Sequence, residues 1–139
     1  MFDFIHGLLE PTPYDAYHIE LKKKRSQVIL VVEIEKAGYV NIEDCQIVSR
    51  LLEKEIENRD DLKEAFIEVA SADPERELKT FKQYQNAVGK SVEIKLQSRI
   101  VRGMIQKVDE NLLRIHGNND EIEIIELSKI IIAKLTICF

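Results

Sequence analysis

Four consecutive cations, Lys22-Lys23-Lys24-Arg25, are the densest chemical signal in the chain. Such a run can meet the phosphates of a nucleic acid and release their counterions. It can equally be a solvated hairpin tip whose charge blocks edge-to-edge pairing. A second candidate is the polar crossing from Ser71 to Lys79, where Arg76 and Lys79 stand among acids. A guanidinium grips phosphate or carboxylate in a planar fork, which makes Arg76 the first choice for a functional side chain. Lys79 and the tip residues Lys22, Lys23, Lys24 and Arg25 come second. With no ligand, the same crossing reads as a linker tied by local ion pairs.

Catalytic chemistry finds little support. The adjacent carboxylates Glu43 and Asp44 could in principle share acid–base work, but their place is that of a helix start. Cys45 falls on an apolar stripe, which disfavours a nucleophilic thiolate. His6, His18 and His116 are scattered, with no second ligand at metal spacing. The five glycines are dispersed singly and form no phosphate cradle. The expectation is a protein with no enzymatic activity, no cofactor and no metal.

The elements that must position these residues are organised around Lys36 to Leu52. Gly38 supplies a turn that can take positive φ. Asn41 is a helix N-cap with Asp44 in the capping-box position. Beyond it Cys45, Val48, Leu52 and Ile56 recur at three- and four-residue steps, and Ile42, Ile47 and Leu51 are expected to widen the stripe. Before this helix, Met1 to Glu10 suits a short helix that Pro11 and Pro13 end. Tyr17 to Leu21 and Val28 to Glu35 suit the arms of a hairpin whose tip is the basic run. After the central helix, residues 62–71 suit a third strand, and helices on one face of this sheet would bury the stripe.

Residues 72–85 read as a loop and short turn. From Gly89 onward the texture is all-β: Ser91 to Leu96 alternates, Ile100 to Val108 carries Gly103 as the mark of a bulge or bend, and Leu112 to His116 follows. In Glu121 to Leu127 the alternation changes phase at Ile124-Ile125, which suggests another bulge. Ser128-Lys129 is a step before the last strand, Ile130 to Ile137. Five short strands with a bent second one point to a small SH3-like or Sm-like barrel. The expected fold is therefore α+β: an αββαβ N-terminal domain over residues 1–84 and a small all-β barrel over residues 85–139.

Charge is unevenly spread over the 139 residues. Residues 1–85 carry 12 Lys+Arg against 18 Asp+Glu, a balance of −6, while residues 86–139 carry 8 against 7, a balance of +1. Bulk attraction to phosphate is absent, so any RNA contact must be a local patch. Cys45 and Cys138 do not make a disulfide framework and read as two reduced thiols. Asp3, His6 and Gly7 interrupt any secretory apolar segment, and the longest aliphatic run, Val28 to Val32, is far shorter than a membrane span. These features predict a cytoplasmic, soluble protein with no membrane partner.

One further pattern is specific. Ile34-Glu35-Lys36 with Gly38, then Val40-Asn41-Ile42-Glu43-Asp44-Cys45 and Val48-Ser49-Arg50 with Leu52, resembles a turn and helix that typically read V-[TS]-L-[DE]-D-C-x-x-[VI]-S-R-x-[LI]. Val69-Ala70-Ser71 with Glu75-Arg76 and Leu78 is similar to V-S-S-P-G-L-D-R-P-L. Phe81, Tyr84, Val88-Gly89 and Val92 resemble the opening of a second domain, and Leu127-Ser128-Lys129-Ile130 with Ala133 and Leu135 its final strand. Together these residues resemble the bacterial ribosome maturation factor RimP family over nearly the whole chain. Ala72-Asp73 replace that pattern's Pro-Gly, Glu77 replaces a proline, and the first helix and the Gln97–Arg99 loop are short.

The resemblance implies an αββαβ domain followed by an Sm-like barrel. It also implies a non-enzymatic role in assembling the small (30S) ribosomal subunit. The partners would be a small-subunit ribosomal protein and 16S rRNA in a precursor particle, met by a monomer whose strand edges can accept a partner segment. The alternative is a stand-alone Sm-like RNA-binding module acting on small RNAs, a reading weakened by the lack of Phe, Tyr or Trp between Gly89 and Ile137.

Overall fold

The computed structural model describes residues 2–117 and 119–136. The chain divides into two compact units, Met1–Ala72 and Asp73–Phe139. Residues 73–84, which the sequence reading placed with the first domain, belong by their contacts to the second unit.

The first unit runs α1 (Asp3–Leu9), β1 (Asp15–Lys24), β2 (Gln27–Glu35), α2 (Ile42–Ile56) and β3 (Phe66–Ser71), the αββαβ order read from the sequence. The strands lie in the order β1-β2-β3, the first pair antiparallel and the second parallel. An antiparallel pair needs only a tight turn, here Arg25-Ser26 with Arg25 at φ +56°. A parallel pair needs a crossover, which α2 supplies. Leu30, Val32 and Ile34 alternate along one face of β2 and are fully buried. They meet Val48, Leu52 and Ile56 of α2, Ile5 and Leu9 of α1, and Leu62. Each such large aliphatic side chain contributes roughly 1.5–3 kcal/mol on burial.

Three members of the expected stripe, Ile42, Ile47 and Leu51, lie outside this core. Ile42 is 77% exposed and Ile47 44% exposed. At about 100° per residue, Val48, Leu52 and Ile56 stay within one narrow face, whereas both isoleucines rotate away from it.

The second unit contains α3 (Phe81–Asn86), β4 (Ser91–Lys95), β5 (Ile100–Asp109), β6 (Leu112–Gly117), β7 (Ile122–Glu126), a 3-10 turn at Leu127–Lys129 and β8 (Ile132–Leu135). Helix α3 replaces part of the expected loop. Its Thr80 accepts from the Gln83 N–H at 3.1 Å, and the Gln83 side chain accepts from the Thr80 N–H, a capping box.

The five strands form one antiparallel sheet in the order β7-β6-β5-β4-β8. This corrects the expected closed Sm-like (SH3-like) barrel, because the sheet is open and, among the described residues, no ladder joins β7 to β8. The edge of β8 that would close it is taken by the crossing segment. Leu78 N–H donates to Ala133 O at 2.8 Å, Leu135 N–H donates to Arg76 O at 3.0 Å, and Glu77 bridges Lys134. A strand has two edges, and β4 holds the other. The small-RNA reading, built on a ring-forming barrel, loses its basis with that correction.

Two local expectations also change. The irregularity in β5 falls between Ile105 and Lys107, not at Gly103. Gly103 is required for close approach, since a Cβ there would sit 2.5 Å from His116 O and 2.7 Å from Ile115 Cγ2. The β6–β7 register is unbroken through Ile124 and Ile125, so no bulge forms; Ile125 is buried and Ile124 faces outward. Among the described residues no helix is long and apolar enough to cross a membrane.

Candidate functional site

The loop between β2 and α2 is held by one carboxylate. Asp44 Oδ2 accepts from the Asn41 N–H at 2.8 Å, and Asn41 Oδ1 accepts from the Asp44 N–H at 2.9 Å, completing the predicted capping box. Two partners come from farther away: Tyr14 Oη donates to Asp44 Oδ1 at 2.7 Å, and Lys36 Nζ lies 2.9 Å from Oδ2. The backbone hydrogen bond at Asn41, then the Tyr14 hydroxyl, then Lys36 hold the Asp44 carboxyl down at about 2. The same contact pushes the Tyr14 hydroxyl up. Burial, then the negative charge of Asp44, raises the Cys45 thiol, which is a free thiol here. Cys138 lies outside the described residues. Asp44 is thus an ionised anchor with both oxygens engaged, as the helix-start reading of Glu43-Asp44 requires.

What this anchor presents is apolar. A cleft of about 610 Å³ is lined by Val40, Asn41, Ile42, Glu43, Cys45 and Ser71. Ile42 stands exposed on its wall and Glu43 adds a negative rim. Periodicity alone assigned Ile42 to the core and so missed this surface. The signal that could have found it was its position in the first helical turn, six residues ahead of Val48.

At the other end of the sheet lies the basic tip. Lys22, Lys23, Lys24 and Arg25 are all exposed. Among the described residues none of the four enters an ion pair. Residues 1–72 carry 9 Lys+Arg and 15 Asp+Glu, so without these four cations the unit would stand at −10. The structure therefore brings the four tip cations together in an otherwise acidic body.

Arg76 and Lys79 are placed differently. Arg76 is buried, with 9% exposure, and its Nη1 donates to Asp73 O at 3.0 Å. Its backbone carbonyl serves β8, so Arg76 shapes the crossing segment from within. Lys79 is exposed, 3.9 Å from Glu77, and its N–H donates to Gln83 Oε1 at 2.7 Å. A second cleft, of about 440 Å³, runs past Arg99, Arg102, Ile122 and Glu123, where Arg99 pairs with Glu123. Among the described residues no group of three or more His, Cys, Asp or Glu could hold a metal ion.

A helix-backed sheet with an exposed cationic tip and an apolar cleft, followed by an open antiparallel sheet, defines a small two-unit α+β protein. The family model of the RimP N-terminal domain matches residues 4–72, nearly the whole first unit. That match places the first unit in the RimP family.

Proposed function

We propose that this chain is an assembly factor for the small (30S) ribosomal subunit. It holds a small-subunit ribosomal protein and a segment of 16S rRNA together in a precursor particle, as a cytoplasmic monomer. The observation that carries this reading is the RimP N-terminal domain at residues 4–72. The division of surfaces on the first unit supports it. Lys22, Lys23, Lys24 and Arg25 offer unpaired cations to rRNA phosphates. The Ile42 cleft, apolar with an acidic rim, suits a basic ribosomal protein. In the second unit, β7 is an edge strand with Ile122 and Ile124 exposed, which suits strand addition by a protein segment. Arg76 contributes by fixing the crossing segment and Lys79 by its exposed charge.

Such a factor needs no catalysis. It shifts assembly only by binding the immature particle more tightly than the mature one, and it leaves when that difference reverses. The test is its position on a sucrose gradient of growing cells. Comigration with precursor small subunits is expected. Absence from ribosomal fractions, or equal presence on mature ribosomes, would overturn the proposal.

A further inference from the structure

The register of the first unit places three side chains in one row on the sheet face opposite α2. Lys22 pairs with Ile29, and Ile29 pairs with Phe66. Directly paired residues point to the same face. Their neighbours Leu21, Leu30 and Ile67 turn the other way and join the core. Phe66 is 58% exposed, so its ring is not a core element. Lys24 lies two residues beyond Lys22 on the same face, towards the tip.

Charge along this face is graded. The next row away from the tip is Glu20, Val31 and Glu68, and the one after it is His18, Glu33 and Ala70. A polyanion is attracted at the tip end and repelled beyond it. Strands lie about 4.8 Å apart, so Lys22 sits roughly 10 Å from Phe66 across β2. A lysine stem can span from there to the phosphate of a nucleotide whose base lies on the Phe66 ring. A basic protein segment would meet repulsion from the tip cations, whereas an unpaired base offers a π-face to any aromatic ring. Building on the rRNA contact proposed above, we infer that this end of the sheet is a single-stranded RNA platform: Phe66 stacks one base, and Lys22 and Lys24 take the flanking phosphates.

The chain contains no tryptophan, so Phe66→Trp installs a single fluorescent reporter on this face. The full-length variant is titrated with a short unstructured single-stranded RNA at low salt, with melting temperature as a folding control. The expected result is quenching of the introduced tryptophan as the base stacks. Phe66→Ala should weaken binding about ten-fold, Phe66→Leu should remain weak, and Phe66→Tyr should restore it. The double variant Lys22→Gln, Lys24→Gln should weaken binding and reduce the slope of log K against log salt by about 1.4. Unchanged binding by Phe66→Ala, with binding weakened by the lysine variant, would overturn stacking and leave the rRNA contact standing. No RNA binding by the unsubstituted chain would overturn both. If Phe66→Leu binds RNA normally while Phe66→Ala loses only a ribosomal protein, the face is a protein dock and the inference fails.

Discussion

Tyr14 Oη donates a 2.7 Å hydrogen bond to Asp44 Oδ1 across 30 positions of sequence, tying the entry to β1 to the first turn of α2. The bond fixes the loop on which the Ile42 cleft stands, and it is made to the ionised carboxylate. Held at about 2 against an ordinary 3.8, Asp44 takes up its proton later in the folded chain than in the unfolded one. The unfolded state therefore binds more protons between these values, and stability falls as pH drops through that window. Asp44→Asn should lower the melting temperature by several degrees at pH 7, and the gap should close as pH approaches 2. Tyr14→Phe removes one stabilising donor and should narrow the window. Thermal unfolding followed by circular dichroism between pH 2 and 7 measures both.

The two ends of the α2 stripe should respond in opposite ways. Leu52 has no exposed surface, and Leu52→Ala should cost about 2–5 kcal/mol in urea unfolding. Ile42, at 77% exposure, should lose less than about 0.5 kcal/mol as Ile42→Ser. That variant should nevertheless recover less ribosomal protein in a pull-down from extract at moderate salt.

What the sequence made legible was what neighbouring residues decide. Asn41 and Asp44 sit three apart, so their capping box could be read directly, as could the hairpin around Lys22 to Arg25 and the Val48, Leu52 and Ile56 face. Thr80 and Gln83 carry the same three-residue signal, but a charged, proline-containing stretch masked it and α3 went unread. Long-range choices were out of reach. Tyr14 and Lys36 reach Asp44 only once the fold is formed, and the polar crossing seemed exposed although Arg76 is buried in it. The open sheet has the same origin, because only the fold reveals that residues 76–78 occupy the outer edge of β8. The candidate tip was visible as composition, whereas the Phe66 row required the β2–β3 register.

Gly103 offers a test of packing within the second unit. A methyl group added there would meet the His116 carbonyl oxygen, which belongs to the backbone of β6 and cannot rotate away. Gly103→Ala should destabilise the unit by about 1–3 kcal/mol, as overpacking does. Gly38 is a contrasting control: it has open space around it but a φ of +88°, so Gly38→Ala carries backbone strain alone, about 1–2 kcal/mol. Urea denaturation measures each loss, and Gly38→Asn, a residue that tolerates positive φ, should recover part of the second, whereas no side chain relieves the clash at Gly103.

Arg76 distinguishes a side chain that touches a partner from one that builds the surface. Its Nη1 donates to Asp73 O, and its own carbonyl accepts from Leu135 N–H, so it joins the crossing segment to β8. Arg76→Ala keeps both backbone bonds, including the Arg76 N–H to Asp73 O at 3.2 Å, but removes the side-chain donor, and should cost about 0.5–1.5 kcal/mol in the unfolding of the second unit. Arg76→Lys keeps the charge but loses the planar fork, and should recover only part of that loss. If Arg76 acts by shaping the segment, precursor binding across these variants should track stability and should return when the temperature is lowered. A variant as stable as the unsubstituted chain that still fails to bind precursors would show instead that the guanidinium meets the partner itself.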